Sequence, residues 1–156
     1  MFPVTDFQGR VVAFGGRVLP ESHGGPADKS APKYINSPES EIFHKGRMLY
    51  GLSRARKAIG DGEPAVVVEG YMDVIALAQA GFHGAVAPLG TALTEVQILE
   101  LWKVLPEDAR SLILCFDGDA AGQRAASRAL QRILPVLKPD HSARFAFLPA
   151  EHDPDS

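Results

Sequence analysis

Two short apolar runs, Val66–Val68 within VVVEGYMD and Ile113–Phe116 within ILCFDGDAAG, each end abruptly in carboxylates. Glu69 closes the first; Asp117 and Asp119 close the second. Runs this short and continuous fit buried strands rather than helices. Carboxylates gathered at the ends of buried strands repel one another and lose solvation. A divalent cation is the usual compensation, so a metal-dependent phosphate site is the leading expectation.

The rest of the chain surrounds these runs with alternating elements. Strands are expected at Ala65–Val68, Gly84–Ala87, Leu112–Phe116 and Ala143–Phe147. Helices are expected between them, at Tyr71–Ala80, at Thr94–Lys103 behind a Thr94/Gln97 capping box, and from Ala120 to about Leu134. That alternation predicts an α/β fold, a parallel sheet flanked by helices. Ligands of such sheets gather beyond the C-terminal strand ends, where Glu69, Asp117 and Asp119 fall. Before residue 63 the texture differs. Val4–Phe7 and Arg10–Val18 read as a β-hairpin turning at Gln8-Gly9, with Gly15-Gly16 marking a bulge or a close approach. Pro20–Pro32 reads as a mobile loop, Lys33–Asn36 as a short extended piece, and Tyr50–Ile59 as a helix ended by Gly60-Asp61-Gly62. Two parts are expected: residues 1–62, a mixed α+β lobe with the hairpin, and residues 63–156, the α/β domain.

Composition narrows the class. The 156 residues are 46% hydrophobic and 22% charged, which suits one globular domain or one with an accessory lobe. The single Cys115 excludes an internal disulfide and a cysteine-rich zinc site, and its apolar setting reads as a reduced core thiol. No apolar stretch approaches the roughly 20 residues of a membrane helix, and the N-terminus lacks the pattern of a signal peptide. A cytoplasmic location is expected. The net charge is −3, but it is unevenly spread. Ala31–Lys57 holds six bases (Lys33, Lys45, Arg47, Arg54, Arg56, Lys57) and two acids (Glu39, Glu41), a balance of +4, so the remainder carries −7. A basic stretch ahead of an acidic core suits a protein that holds a polyanion beside metals; a solvated face is the plainer reading.

Asp117 and Asp119 stand two apart, so extended backbone points both side chains the same way. Asp73 follows Glu69 by four residues, on the first turn of the expected helix. Asp153 and Asp155 add a third acidic pair. All these donors are hard oxygens, which favours magnesium or manganese over zinc. Taken alone, Asp-Gly-Asp before a helix is a turn and an N-cap; the paired strand ends make the metal reading more specific. An EF-hand is excluded because Ala121 and Arg128 occupy its fifth and twelfth positions. No Walker A loop or His-Glu-x-x-His occurs, and the five histidines show no ligand spacing. Met72 and Trp102 read as packing residues.

Glu69 followed by Asp117-Gly118-Asp119 resembles the TOPRIM domain shared by topoisomerases, bacterial primases and some nucleases. The flanks narrow the resemblance. FPVTDFQGRVVAFGGRVL, PKYINSPES, IFHKGRMLYGL, EGYMDVIALAQAG and VAPLGTALT resemble the central RNA-polymerase domain of DnaG-type bacterial primases over nearly the whole chain. The resemblance implies a fragment: the end of the N-terminal polymerase lobe and most of a TOPRIM domain. Upstream lobe, zinc-binding domain and C-terminal helicase-binding domain would lie elsewhere, so neither zinc nor a helicase contact is expected of these residues. The implied reaction is synthesis of RNA primers on single-stranded DNA by metal-dependent nucleotidyl transfer. Glu69, Asp117 and Asp119 would hold magnesium or manganese, with Asp73, Asp153 and Asp155 completing the acidic set. Lys33, Tyr34, Asn36 and Lys45 would bind nucleoside triphosphates and the template or RNA–DNA hybrid. Two rival readings remain: another TOPRIM enzyme, nuclease or topoisomerase-like, or a nucleotide- and DNA-binding fragment inactive alone. Tyr34, Tyr50 and Tyr71 have no identifiable setting for the nucleophile a topoisomerase needs.

Overall fold

The computed structural model describes residues 1–19, 32–90, 92–108, 110–149 and 152. Of the loop expected over Pro20–Pro32 only Pro32 is described, and Asp153 and Asp155 also lie outside the described residues.

Strands β1 (Phe2–Thr5) and β2 (Val11–Arg17) form the expected antiparallel hairpin. The Asp6 carboxylate organises its turn, accepting from the amides of Gln8 at 2.9 Å and Arg10 at 3.0 Å. Strand β3 (Tyr34–Asn36) pairs antiparallel with β2 and completes a three-stranded sheet. The register shift of the hairpin falls between Val4 and Thr5, not at Gly15-Gly16. Gly15 serves a close approach instead: a Cβ there would stand 2.6 Å from the Tyr71 ring.

The larger sheet contains β4 (Leu49–Tyr50), β5 (Ala65–Val67), β6 (Ala85–Pro88), β7 (Ser111–Phe116) and β8 (Ser142–Phe147), in the order β4-β6-β5-β7-β8. The last four strands in the chain are parallel, as expected, whereas β4 runs antiparallel along the β6 edge. The sequence pattern missed β4 because two residues are too few to display a period. Helices α1 (Leu52–Gly60), α2 (Tyr71–Gln79), α3 (Glu95–Val104) and α4 (Ala120–Ile133) cover the sheet. Among the described residues no helix is long and apolar enough to cross a membrane.

Alternation along the strands sorts the core into two layers. Val67, Val86, Leu112 and Leu114 pack beneath α1, α3 and α4, with Ile59, Ile98, Leu101, Trp102 and Ile133 as the buried helix faces. Val66, Val68, Ala85 and Ala87 face the other way, where Tyr71 and Val74 of α2 meet Val4 and Ala13 of the hairpin. The connection after β5 therefore enters one face through α2, and the connection after β7 enters the opposite face through α4. β5 and β7 are neighbours. Adjacent strands whose connections diverge to opposite faces leave a crevice beyond their carboxyl ends, the preferred binding position in open α/β sheets.

Candidate catalytic site

Glu69 stands at that crevice, two residues beyond Val67, which pairs with Leu114 of β7. Asp117 follows the last residue of β7 directly. The Asp117 amide donates to Glu69 Oε1 at 3.4 Å, a long and weak bond that nevertheless fixes how near the two strand ends are. Glu69 is exposed overall, yet its carboxyl is held above the ordinary carboxylate range. Partial desolvation is the main cause and the charges of Asp117 and Asp119 add to it; the Asp117 amide bond and Arg128 oppose it. Half-buried Cys115 records the same crowding. Burial first, then the charges of Asp117, Asp73 and Glu69, push its thiol upward, so it remains protonated.

The remaining acids have structural bonds as well. Asp119 is the N-cap of α4, its Oδ1 accepting from the Gly122 amide at 2.7 Å. Cap and charge thus coexist in one residue. Asp73 is buried on the first turn of α2, with Oδ2 accepting from the Gly70 amide at 2.8 Å. The loop carrying Asp117 and Asp119 is pinned by close backbone packing. A Cβ on Gly118 would overlap the carbonyls of Leu148 and Pro149, and one on Gly122 would overlap the Asp117 carbonyl. Among the described residues no three His, Cys, Asp or Glu side chains stand close enough together to hold a metal ion as placed. Glu69, Asp117 and Asp119 are neighbours in charge, not a preformed cage.

A cleft of about 280 Å³ runs from Glu69, Asp73 and Asp117 to β3, where Lys33, Tyr34 and Asn36 line it; Asp119 is not among its lining residues. Met72 and Gly90 also border it, so Met72 is a wall of the cleft rather than only a packing residue. The Tyr34 ring lies within cation–π range of Lys33 Nζ at 5.9 Å and Arg17 Cζ at 5.7 Å. Lys45 does not line this cleft. It occupies a turn in which its amide donates to Glu39 at 2.8 Å and its carbonyl accepts from Gln97 at 2.9 Å. Six of the expected residues therefore meet around one cleft, Lys33, Tyr34 and Asn36 on its β3 side and Glu69, Asp73 and Asp117 on the other, while Lys45 stands apart.

Sequence reasoning passed over three participants. Arg128 of α4 joins Glu69 in a second, largely apolar cavity of about 230 Å³. Arg17 approaches Tyr34 from the end of β2. Tyr71 donates its hydroxyl hydrogen bond to Asn36 Oδ1. Burial, reinforced by Tyr50, pushes the Tyr71 phenol up to about 12. Only the glycine pair at Gly15-Gly16 hinted at the last of these, because it announced that something approaches the hairpin closely.

Comparison with known proteins completes the picture. The family described as Toprim domain matches residues 63–146, and the one described as DNA primase catalytic core, N-terminal domain, matches residues 1–56. A DNA primase from Pseudomonas aeruginosa is 53% identical over all of this chain, which spans 22% of that relative's length. The crystal structure of a DNA primase domain from Pseudomonas aeruginosa superposes with a TM-score of 0.88 at 52% identity, covering 99% of this chain and 44% of that one. A DnaG primase catalytic domain bound to ssDNA superposes with a TM-score of 0.82 at 48% identity, covering 99% of this chain and 46% of the other. A family match over more than half of the residues, and a shared fold over nearly all of them, lead to one conclusion: the chain belongs to the Toprim family, as part of a DNA primase catalytic core.

Proposed function

We propose that these residues form the nucleotide end of a primase active site, which makes RNA primers on single-stranded DNA by nucleotidyl transfer. The observation that carries this reading is the single cleft in which Lys33, Tyr34 and Asn36 face Glu69, Asp73 and Asp117. A triphosphate needs cationic and polar donors on one side and a carboxylate rim on the other. Lys33 supplies a mobile charge for phosphate oxygens. Tyr34 offers a π-face for a base, and Asn36 a carboxamide for phosphate or sugar. The likeness to a primase domain bound to ssDNA supports a single-stranded template as partner. The division at residue 62, with a polymerase lobe before it and the Toprim domain after it, belongs to the same proposal.

The donor set fits a divalent cation. Every candidate ligand is a hard oxygen, and both the desolvation that mainly raises Glu69 and the added repulsion from Asp117 and Asp119 are what a cation offsets. Glu69, Asp117 and Asp119 would hold magnesium or manganese, with buried Asp73 shaping the field behind them. When bound, the ion supplies charge neutralisation and alignment for in-line displacement at phosphorus. This chain's own contribution is to orient: Asp119 fixes the start of α4, Asp73 fixes the Glu69–Gly70 corner, and Lys33 brings the phosphates to the rim. A topoisomerase-like reading is disfavoured because Tyr50 and Tyr71 are buried and their phenols shifted upward, opposite to what a nucleophile requires.

The test is RNA synthesis from nucleoside triphosphates on single-stranded DNA by the longer polypeptide that contains this segment. Glu69→Gln and Lys33→Ala are each expected to abolish or severely reduce product. Full synthesis by Glu69→Gln would refute the assignment.

A further inference from the structure

Tyr71 is the first residue of α2, two after Glu69 and two before Asp73. Its ring stacks on Phe2 at 4.9 Å with planes 6° apart, and meets Tyr50 edge-on at 4.7 Å and 84°. Those contacts would be met equally by phenylalanine. The hydroxyl is the group they do not explain. It donates to Asn36 Oδ1, across a sequence separation of 35 residues. Two glycines make the arrangement possible. Gly15 leaves room for the ring, and Gly90, at φ +74°, leaves room for the carboxamide; a Cβ on Gly90 would lie 2.7 Å from Asn36 Nδ2. The bond fixes which way the amide faces. Its oxygen is committed to Tyr71, so its N–H donors lie toward Gly90, on the wall of the cleft.

We infer that Tyr71 is a positioning residue: through its hydroxyl it orients the Asn36 carboxamide and holds the Lys33–Asn36 segment in register with the carboxylate rim. The inference rests on the nucleotide reading above and deepens it. One rigid residue joins the two halves of the cleft. Its backbone extends the Glu69–Gly70 corner, and its hydroxyl extends to β3. An anion bound between the halves then meets donors already aimed at it, and the side-chain ordering that weakens binding is reduced.

The experiment compares Tyr71→Phe, Asn36→Ala and the double variant by calorimetric titration with ATP in magnesium chloride. Tyr71→Phe keeps the ring packing and removes only the hydroxyl. Each single change is expected to weaken ATP binding about five- to tenfold, the scale of one polar contact. The double variant is expected to bind no more weakly than Asn36→Ala, because Tyr71 acts through Asn36. The rise in melting temperature produced by magnesium alone is expected to be the same in Tyr71→Phe as in the parent, which a general loosening of the fold would not allow. Unaltered ATP affinity in Tyr71→Phe, or losses that multiply in the double variant, would overturn the positioning role while leaving the cleft intact. If the parent chain itself fails to bind ATP although magnesium raises its melting temperature, the nucleotide reading fails and this inference falls with it.

Discussion

Glu69 sits where stability opposes the chemistry proposed for it. Its folded pKa lies above the ordinary value of 4.5, so folding disfavours its charged form. The sign follows from linkage. Below pH 4.5 the group is protonated in folded and unfolded chains alike, and its favourable contribution is fully present. As pH rises through the raised folded value, that contribution is lost. Glu69→Gln has nothing to ionise. Without divalent cations the variant is expected to match the parent's melting temperature below pH 4.5 and to exceed it increasingly toward neutrality. A difference constant from acid to neutral pH would contradict this origin. Asp119 allows cap and charge to be separated. Asparagine caps as well as aspartate, whereas alanine loses about 1 kcal/mol of helix stability. In urea titrations Asp119→Asn is therefore expected to match the parent and Asp119→Ala to fall below it. Both are expected to reduce the stabilisation by magnesium, because that depends on charge. A full magnesium effect in Asp119→Asn would remove this carboxylate from the ion's surroundings.

At the scale of elements, the start of α3 ties the basic segment to the larger sheet. Gln97 is completely buried, and its Nε2 donates to the carbonyls of Lys45 at 2.9 Å and Met48 at 2.7 Å. Its Oε1 accepts from the Thr94 amide at 2.9 Å, and Thr94 Oγ1 donates to the Gly46 carbonyl at 2.7 Å. Gln97→Ala would strand several of these groups away from water, and a loss of about 2–3 kcal/mol is expected. Trp102, the only tryptophan and nearly fully buried, reports the unfolding by fluorescence. A loss below about 0.5 kcal/mol would show that the groups are re-satisfied by solvent. The sequence made this helix legible through its capping box, since Thr94 and Gln97 bond locally as expected. It did not make legible that the same side chains reach back some fifty positions. Local periodicity reports which face of an element is buried; it carries no record of which distant carbonyl lies above it. The same limit hid β4, the Tyr71–Asn36 bond and the isolation of Lys45. By contrast, the placing of Glu69, Asp117 and Asp119 beyond the ends of neighbouring strands was legible, because acids at the ends of buried strands conflict with their local setting.

Over the whole molecule, charge is unevenly divided along the sequence, although of the bases between Ala31 and Lys57 only Lys33 lines the cleft. The segment from Ala31 to Lys57 carries +4 and the remainder −7, so under the proposed function a single-stranded polyanion is expected to be attracted to that segment and repelled elsewhere. Affinity for single-stranded DNA is therefore expected to fall with salt, because each neutralised phosphate releases counterions. The slope of log K against log salt is about −0.7 per phosphate contact on a single strand. Lys33 is on the cleft wall, so Lys33→Ala is expected to weaken binding of an oligothymidylate and to flatten the slope by about 0.7. Lys45 lies outside that cleft, on the turn held by Gln97. If it meets template rather than triphosphate, Lys45→Ala will flatten the oligonucleotide slope while leaving ATP titrations unchanged. Fluorescence anisotropy across a potassium chloride series, run beside ATP calorimetry, separates the two. An unchanged slope in both variants would place the strand on another surface and leave the basic segment to the nucleotide alone.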